Sequence, residues 1–287
     1  MILMSFMIVF PFLAKREAEN NLMLAILNAL KKDIQKYGQE KPLLFLISEN
    51  NQIELVSIRT PPHDLLISCT DDLDTIDLLI NELMQRGETL PGILSFKHAA
   101  DKFAKIWARK HKLKLELLRN ERVYKLEKVA KNTLGSKKFV NATKEYESFI
   151  LKCAREFMIE ALAETGGEQI DETLISFQKQ LDEGRSDFFL LLDDKDMPLS
   201  MVRKAGKTPN GNFMNFVYTP PHLRRNGYAT EVVANISKML LEEGNKYCFL
   251  FRDLSNPTSN NIYQKVGYRP VIDMNHYKFQ KIDEKVA

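Results

Sequence analysis

Between residues 218 and 230 the chain reads YTPPHLRRNGYAT, which stiffens, gathers positive charge and then loosens within a dozen residues. Pro220 and Pro221 fix the exit of the preceding apolar run and reduce the entropy lost when the loop is ordered. Arg224 and Arg225 bring charge, while Asn226 and Gly227 permit backbone conformations that turn several amides to one side. Ala229 is small enough to let a ligand approach the first turn of a helix starting near Gly227. Such a helix start offers unpaired N–H groups and the positive end of a dipole, so the stretch suits a phosphate group. It equally suits a basic surface turn that opens a helix. It is not a P-loop, since no Gly-Lys-Ser/Thr follows, and it departs from the dinucleotide fingerprint.

The second stretch with chemical content is NPTSNNIYQKVGYRP, residues 256 to 270. Asn256 followed by Pro257 is a strong helix start, because Asn caps and Pro suits the first helical position. Tyr263 then lies two turns into the helix, where a tyrosine ordinarily serves the core.

Hydrophobic periodicity supplies the elements that must hold these residues. In the second part of the chain we expect helices over 144–163 and 170–182, strands near 187–193, 198–204 and 212–219, and a helix over 227–243. A strand at 247–251, a helix at 257–265 and strands to the end follow. The unit of strand 212–219, helix and strand 247–251 should cross over right-handed with its strands parallel, which puts the 218–230 loop at the carboxyl edge where open sheets bind ligands. The first part runs in nearly the same order. A helix over 14–38 is expected to carry Leu22, Ile26, Ala29 and Leu30 on one face. Strands near 43–48, 52–58 and 64–69, a helix near 73–86, a strand near 91–96 and a helix over 97–111 come next. The alternating run KLKLELLRNERVYKLEKV reads as two strands around Asn120, and Trp107 as a core residue. Residues 129–142 lack apolar periodicity and read as a linker between residues 1–128 and 143–287. The repeated order implies a fold duplication in an α/β protein with mixed sheets.

A chain of 287 residues favours two domains, and 44% hydrophobic with 28% charged residues is ordinary for a globular protein. The 41 basic and 38 acidic residues are spread along the chain, too balanced for a general nucleic-acid binder, so any anion site must be local. Cys69, Cys153 and Cys248 are odd in number and lack metal-ligand spacing, which points to a reducing, cytoplasmic setting with no metal. The run from Ile2 to Leu13 has no preceding basic residue and is too short to span a bilayer; it reads as core, with a signal anchor as the lesser alternative.

The stretch Val217 to Ala229 resembles the acyl-coenzyme A loop of the GNAT superfamily of N-acetyltransferases: Arg or Gln, two residues, Gly, one residue, then Gly or Ala. Arg224, Gly227 and Ala229 fill those places, and Arg225 departs from the glycine many members carry. The second stretch is similar to the family's second signature, with Asn256, then Tyr263, then Gly267-Tyr268 in place of the common Gly-Phe. The resemblance covers roughly 143–279 and makes the first half a degenerate copy in a tandem chain. It implies an acetyl-coenzyme A co-substrate and direct attack by an amine, on a small molecule or a protein, with no nucleic acid and no membrane involved. Phe216, Val217, Tyr218 and Thr219 would hold the pantetheine arm by strand-like hydrogen bonds. Amides from Arg225 through Asn226, Gly227, Tyr228 and Ala229 to Thr230 would hold the pyrophosphate, with Arg224, Asn256 and Ser259 as further cofactor contacts. Tyr263 would protonate the departing thiolate. An alkyl amine must first lose a proton, and Asp253 is the first candidate base, although it also reads as a turn residue; Glu231 and His222 are weaker ones. The first half enters its equivalent helix through CTDDLDTIDLL, whose Asp71, Asp72 and Asp74 repel an anion. A binding module that senses coenzyme A or an acylated metabolite without turnover is the alternative function.

Overall fold

A computed structural model describes residues 2–161, 167–255 and 257–282. The first half opens with α1 (Ile2–Ala14) and α2 (Asn21–Lys32), followed by strands β1 (Leu43–Glu49), β2 (Gln52–Arg59) and β3 (Leu65–Ile67). Then come α3 (Asp74–Gln85), β4 (Gly92–Phe96), α4 (Lys97–His111) and β5 (Leu113–Leu126). A 3-10 turn at Lys131–Thr133 and the short strand β6 (Lys138–Asn141) lead to α5 (Glu147–Ala161) and α6 (Gly167–Asp182). The remainder is β7 (Phe188–Leu192), β8 (Pro198–Lys207), β9 (Gly211–Tyr218), α7 (Tyr228–Glu242), β10 (Tyr247–Asp253), α8 (Pro257–Val266) and β11 (Arg269–Lys281).

All strands lie in one mixed sheet of eleven, in the order β1-β2-β3-β4-β11-β5-β10-β9-β8-β7-β6. The last strand of each half has crossed into the other. β11 lies between β4 and β5, and β5 lies between β11 and β10, all antiparallel. Around this exchange the pairing is near-symmetric: Glu121 opposes Asp253, the last residue of β10, Met274 opposes Phe96, the last of β4, and Glu121 and Met274 oppose each other.

The exchange corrects the expected turn at Asn120. Its carbonyl accepts the Leu254 N–H at 2.8 Å and its side-chain amide donates to Asn275 Oδ1 at 2.6 Å, so the chain runs straight through as one strand of 14 residues. Alternation alone cannot distinguish one long strand from a hairpin; two filled edges can. β11 is likewise one strand where several were expected. The expected helix over 14–38 is also divided, because the Asn20 side chain donates to the Leu13 carbonyl and accepts the Cys69 N–H, pinning a corner before α2 begins.

Residues 129–142, expected as a linker, are built into the fold. β6 pairs with β7 at the sheet edge, and the Lys137 N–H donates to Glu231 Oε1 at 2.8 Å. The Ala130 N–H donates to the Val266 carbonyl, which closes the strap over the second half.

Hydrophobic packing covers both faces. Ile76, Leu79 and Ile80 of α3 and Phe103 and Trp107 of α4 form one core with β3 and β4, and Trp107 is buried as expected, stacked on Phe103 with centroids 5.6 Å apart. Val9 and Leu13 of α1 are fully buried against Leu24 and Leu27 of α2, so this part of the apolar N-terminal run is core. No described helix is long and apolar enough to cross a membrane. α7 and α8 pack with Tyr124, Leu126, Leu250 and Tyr268, a core that includes side chains of the exchanged strand β5. α5 and α6 cover Phe188, Met201, Phe216 and Tyr218 on the opposite face.

Polar contacts tie the halves further. The buried Glu17 accepts hydrogen bonds from Thr208 Oγ1 at 2.6 Å and from Asn210 N and Nδ2 at 2.8 Å, holding the β8–β9 turn of the second half. Asp64 receives Lys278 at 2.8 and 2.9 Å and lies 2.5 Å from His276 Nε2. Against the burial that opposes it, these two partners hold the Asp64 carboxyl below the usual carboxylate range.

Two predictions follow from these joints. Residues 1–128 and 143–287 expressed separately each lack a central strand, so neither shows the cooperative thermal transition of the intact chain, and co-expression restores it; cooperative melting of either half alone would show that the exchange is dispensable. Asp64→Asn removes one partner of a mostly buried ion pair and lowers stability at pH 7 by about 3 kcal/mol in denaturant titration. Because the native carboxyl titrates below its unfolded value, that difference is full above the unfolded pKa and closes as pH falls through the native one.

Candidate coenzyme A site

The parallel ladder between β9 and β10 runs from Tyr247 opposite Gly211 to Leu250 opposite Met214 and stops. Beyond it, Asn215–Tyr218 and Phe251–Asp253 diverge, leaving a wedge at the carboxyl edge of the sheet. Two features hold the wedge open. Phe216 adopts φ +50°, and the β8–β9 register slips at the neighbouring positions, so β9 bulges and its backbone groups on the wedge side have no strand to pair with. On the other side β10 is held by β5 through Asp253, so it cannot close the gap.

The loop beyond β9 begins with a 3-10 turn, Pro221–Leu223, and reaches α7 through Arg225 at φ +67° and Gly227 at φ +84°. The first helical bond joins the Glu231 N–H to the Gly227 carbonyl, and no side chain caps the helix. The amides of Tyr228, Ala229 and Thr230 are therefore orphan donors at the positive end of a 15-residue helix, opening toward the wedge. The exposed Asn226 turns its amide back on the loop, donating to the carbonyls of Leu223 at 3.1 Å and Arg224 at 3.2 Å and bracing the turn.

Arg224 is also a brace. Its Nε donates to the Thr219 carbonyl at 2.9 Å, and its two terminal nitrogens grip Glu160 of α5 at 2.8 and 2.7 Å. Its guanidinium lies 5.3 Å above the Tyr218 ring, whose hydroxyl donates to the same carboxylate at 3.1 Å. The Arg224 hydrogen bond holds the Glu160 carboxyl below its ordinary range. Arg225, the departure from glycine, is exposed and has the freer position for an anion.

Tyr263 stands on α8 beside Tyr124 and Tyr268, with ring centroids at 6.3 and 6.2 Å. Burial pushes its hydroxyl up to about 12, opposed by the nearby Arg252. It is therefore protonated at neutral pH and able to donate. Tyr124 comes from the first half, a neighbour that no motif in the second half could reveal.

The expected bases fare differently. Asp253 ends β10 at the wedge, but its Oδ1 accepts the Ser255 N–H at 2.8 Å, the turn-bracing role that the sequence left open. Glu231 is turned away and holds the Lys137 amide. His222 is exposed on the 3-10 turn. Asn256 lies outside the described residues, as does the side chain of Ser259. Across β10 stands a carboxylate that the sequence reading missed, Glu121 of β5, whose side chain is only 12% exposed.

In the first half, the α3 entrance is closed. Asp72 Oδ1 accepts the Asp74 N–H at 2.8 Å, and Lys102 donates to the Leu73 carbonyl and to Asp74 while pairing with Asp77. The orphan amide is thus capped internally, and the cations present serve the aspartates.

The segment 199–277 matches the family model described as FR47-like protein. No curated protein matches the chain. Among solved structures, the chain is similar to a GCN5-related N-acetyltransferase from Sphaerobacter thermophilus, at 12% identity and TM-score 0.59 over 96% of both chains. A GCN5-related N-acetyltransferase from Kribbella flavida gives 12% identity and TM-score 0.57 over 91% of this chain and 95% of that one. A Drosophila protein gives 12% identity and TM-score 0.59 over 95% and 90%. At such identities the likeness is one of fold, and it extends over both halves. The family match lies within the second half, and the chain as a whole shares the fold of these GCN5-related N-acetyltransferases.

Gly227→Val should weaken coenzyme A binding at least tenfold in calorimetry. No protein atom lies within 4 Å of an added Cβ, so the cause is the backbone: a β-branched residue at φ +84° shifts the turn that aims the amides. Unchanged affinity in a folded variant would remove this turn from the site. Equilibrium titration of the intact chain should give one coenzyme A per monomer; a value near two would mean that the α3 entrance opens.

Proposed function

We propose that the protein transfers an acetyl group from acetyl-coenzyme A to an amine. The observation that carries this reading is the wedge itself. It is a gap between two parallel strands, one of them bulged, with three orphan helix amides at its rim. That geometry suits a ligand with an extended amide-bearing arm and a pyrophosphate, and acetyl-coenzyme A has both. The backbone of Phe216, Val217 and Tyr218, beyond the end of the β9–β10 ladder, would pair with the arm as a strand would, and the amides from Arg225 to Thr230 would receive the pyrophosphate. Arg224 acts beneath them, fixing the loop to α5 through Glu160.

Tyr263, kept protonated by burial, gives its proton to the sulfur as the carbon–sulfur bond breaks. We further read the two halves as GNAT-like units of which only the second holds the co-substrate. The acceptor cleft would lie on the face opposite α7 and α8, between α5 and the exchanged strand.

Thiol release from acetyl-coenzyme A, measured against a panel of small amines and peptide termini, tests the reading. Turnover with at least one amine is expected. Silence across the panel with tight coenzyme A binding retained would identify a sensor. Tyr263→Phe should lower kcat about 10²-fold while leaving the acetyl-coenzyme A dissociation constant within about twofold. Equal turnover at every pH would make Tyr263 a packing residue.

A further inference from the structure

Strand β5 places a carboxylate of the first half beside the last residue of β10, the strand that borders the second half's wedge. Glu121 and Asp253 are register partners, so their side chains leave the same face of the sheet within about 5 Å of one another at Cβ. Tyr124 lies in the α7–α8 core and, by the alternation of a strand, Glu121 faces the other side, the side on which α5 covers Phe216. β10 ends at Asp253, directly beside Glu121, so a single strand at its last residue stands between Glu121 and the wedge. Asp253 itself is occupied by the Ser255 amide. The Arg119 Nε is 3.8 Å from Glu121 Oε1, beyond hydrogen-bond range, so the ion pair leaves the carboxylate able to accept a proton.

We propose that Glu121 is the catalytic base of this site, a residue supplied by the first half to the chemistry of the second. This rests on the acetyl-transfer reading above. An alkylammonium acceptor gives one proton to the Glu121 carboxylate, breaking N–H and forming O–H. The free amine nitrogen attacks the thioester carbonyl carbon. The C–N bond forms, the C–S bond breaks, and the sulfur leaves with the proton from Tyr263. Glu121 passes its proton to water, the new amide nitrogen sheds its second proton by the same route, and Tyr263 is reprotonated from solvent. One proton is released overall.

The surroundings favour this role. Burial raises the Glu121 carboxyl above its ordinary range, Arg119 on its own strand and His276 on β11 oppose the rise, and Asp253 on β10 adds to it. A base with a raised pKa is better matched to an amine near neutral pH. His276 is in turn held between Arg119, 3.0 Å from its Nδ1, and Asp64, 2.5 Å from its Nε2, so the groups around Glu121 are fixed from both halves.

The test compares wild type with Glu121→Gln and Glu121→Asp in the full chain, using an alkylamine that wild type acetylates and an alkoxyamine, which is neutral at pH 7. With the alkylamine, Glu121→Gln should lower kcat about 10²-fold and lose the acid limb of the pH–rate profile, with acetyl-coenzyme A affinity unchanged by calorimetry. With the alkoxyamine, whose first proton is already gone, the loss should shrink at least fivefold. Glu121→Asp should retain the acid limb but turn over at least tenfold more slowly, since its carboxylate is withdrawn by one methylene. Turnover and profile unchanged in either folded variant would overturn the proposal while leaving acetyl transfer standing. An equal loss for both amines would also overturn it, leaving Glu121 a structural residue. Wild type silent toward every amine would overturn both readings together.

Discussion

The antiparallel ladder between β5 and β11 is the joint on which the rest depends. Each of these strands belongs by sequence to one half and pairs only with strands of the other, so neither half can complete its sheet alone. The ladder makes one sheet of eleven strands, and it sets Tyr124 and Glu121 on opposite faces of that sheet beside β10, which borders the wedge of the second half. Edge strands left unpaired by separation would be exposed templates for association, which is why an exchange of this kind ties folding of one half to the other.

Electrostatics reinforce the same joint. Arg122 of β5 grips Asp273 of β11 through two hydrogen bonds at 2.5 and 2.9 Å, and Asp64 gathers His276 and Lys278 of β11 from the first half. Partly buried pairs of this sort contribute modestly to net stability, yet losing one partner leaves a charge stranded, so they penalise any other register strongly. Glu17 does the same for the β8–β9 turn, and through that turn for the strand that bulges into the wedge.

The two helix entrances differ in what meets their first amides. At α7 the backbone is turned by Arg225 and Gly227 at positive φ, and the amides are left without side-chain caps. At α3 the donors are met by Asp72, and the negative charge is compensated by Lys102. Acidic residues stabilise a helix start by the same dipole interaction that would otherwise draw a phosphate, so the α3 entrance is arranged for helix stability.

The elements themselves were legible because their signals are local. α4 begins and ends where its apolar spacing and flanking residues place it, and Gly227 marks a turn because only a residue without Cβ adopts φ +84° at little cost. The bracing contacts of Arg224 and Asn226 were not legible: the same side chains that could meet a phosphate also brace a loop, and their partners, Glu160 of α5 and the carbonyls of Leu223 and Arg224, are set by the folded chain. The continuity of β5 past Asn120, the burial of Tyr263 against Tyr124 and the placement of Glu121 beside Asp253 required the tertiary structure. Periodicity says which face a residue takes within its own element. Which element lies beside it depends on long-range pairing, and strands exchanged between halves more than 120 residues apart leave no mark in the sequence near either one.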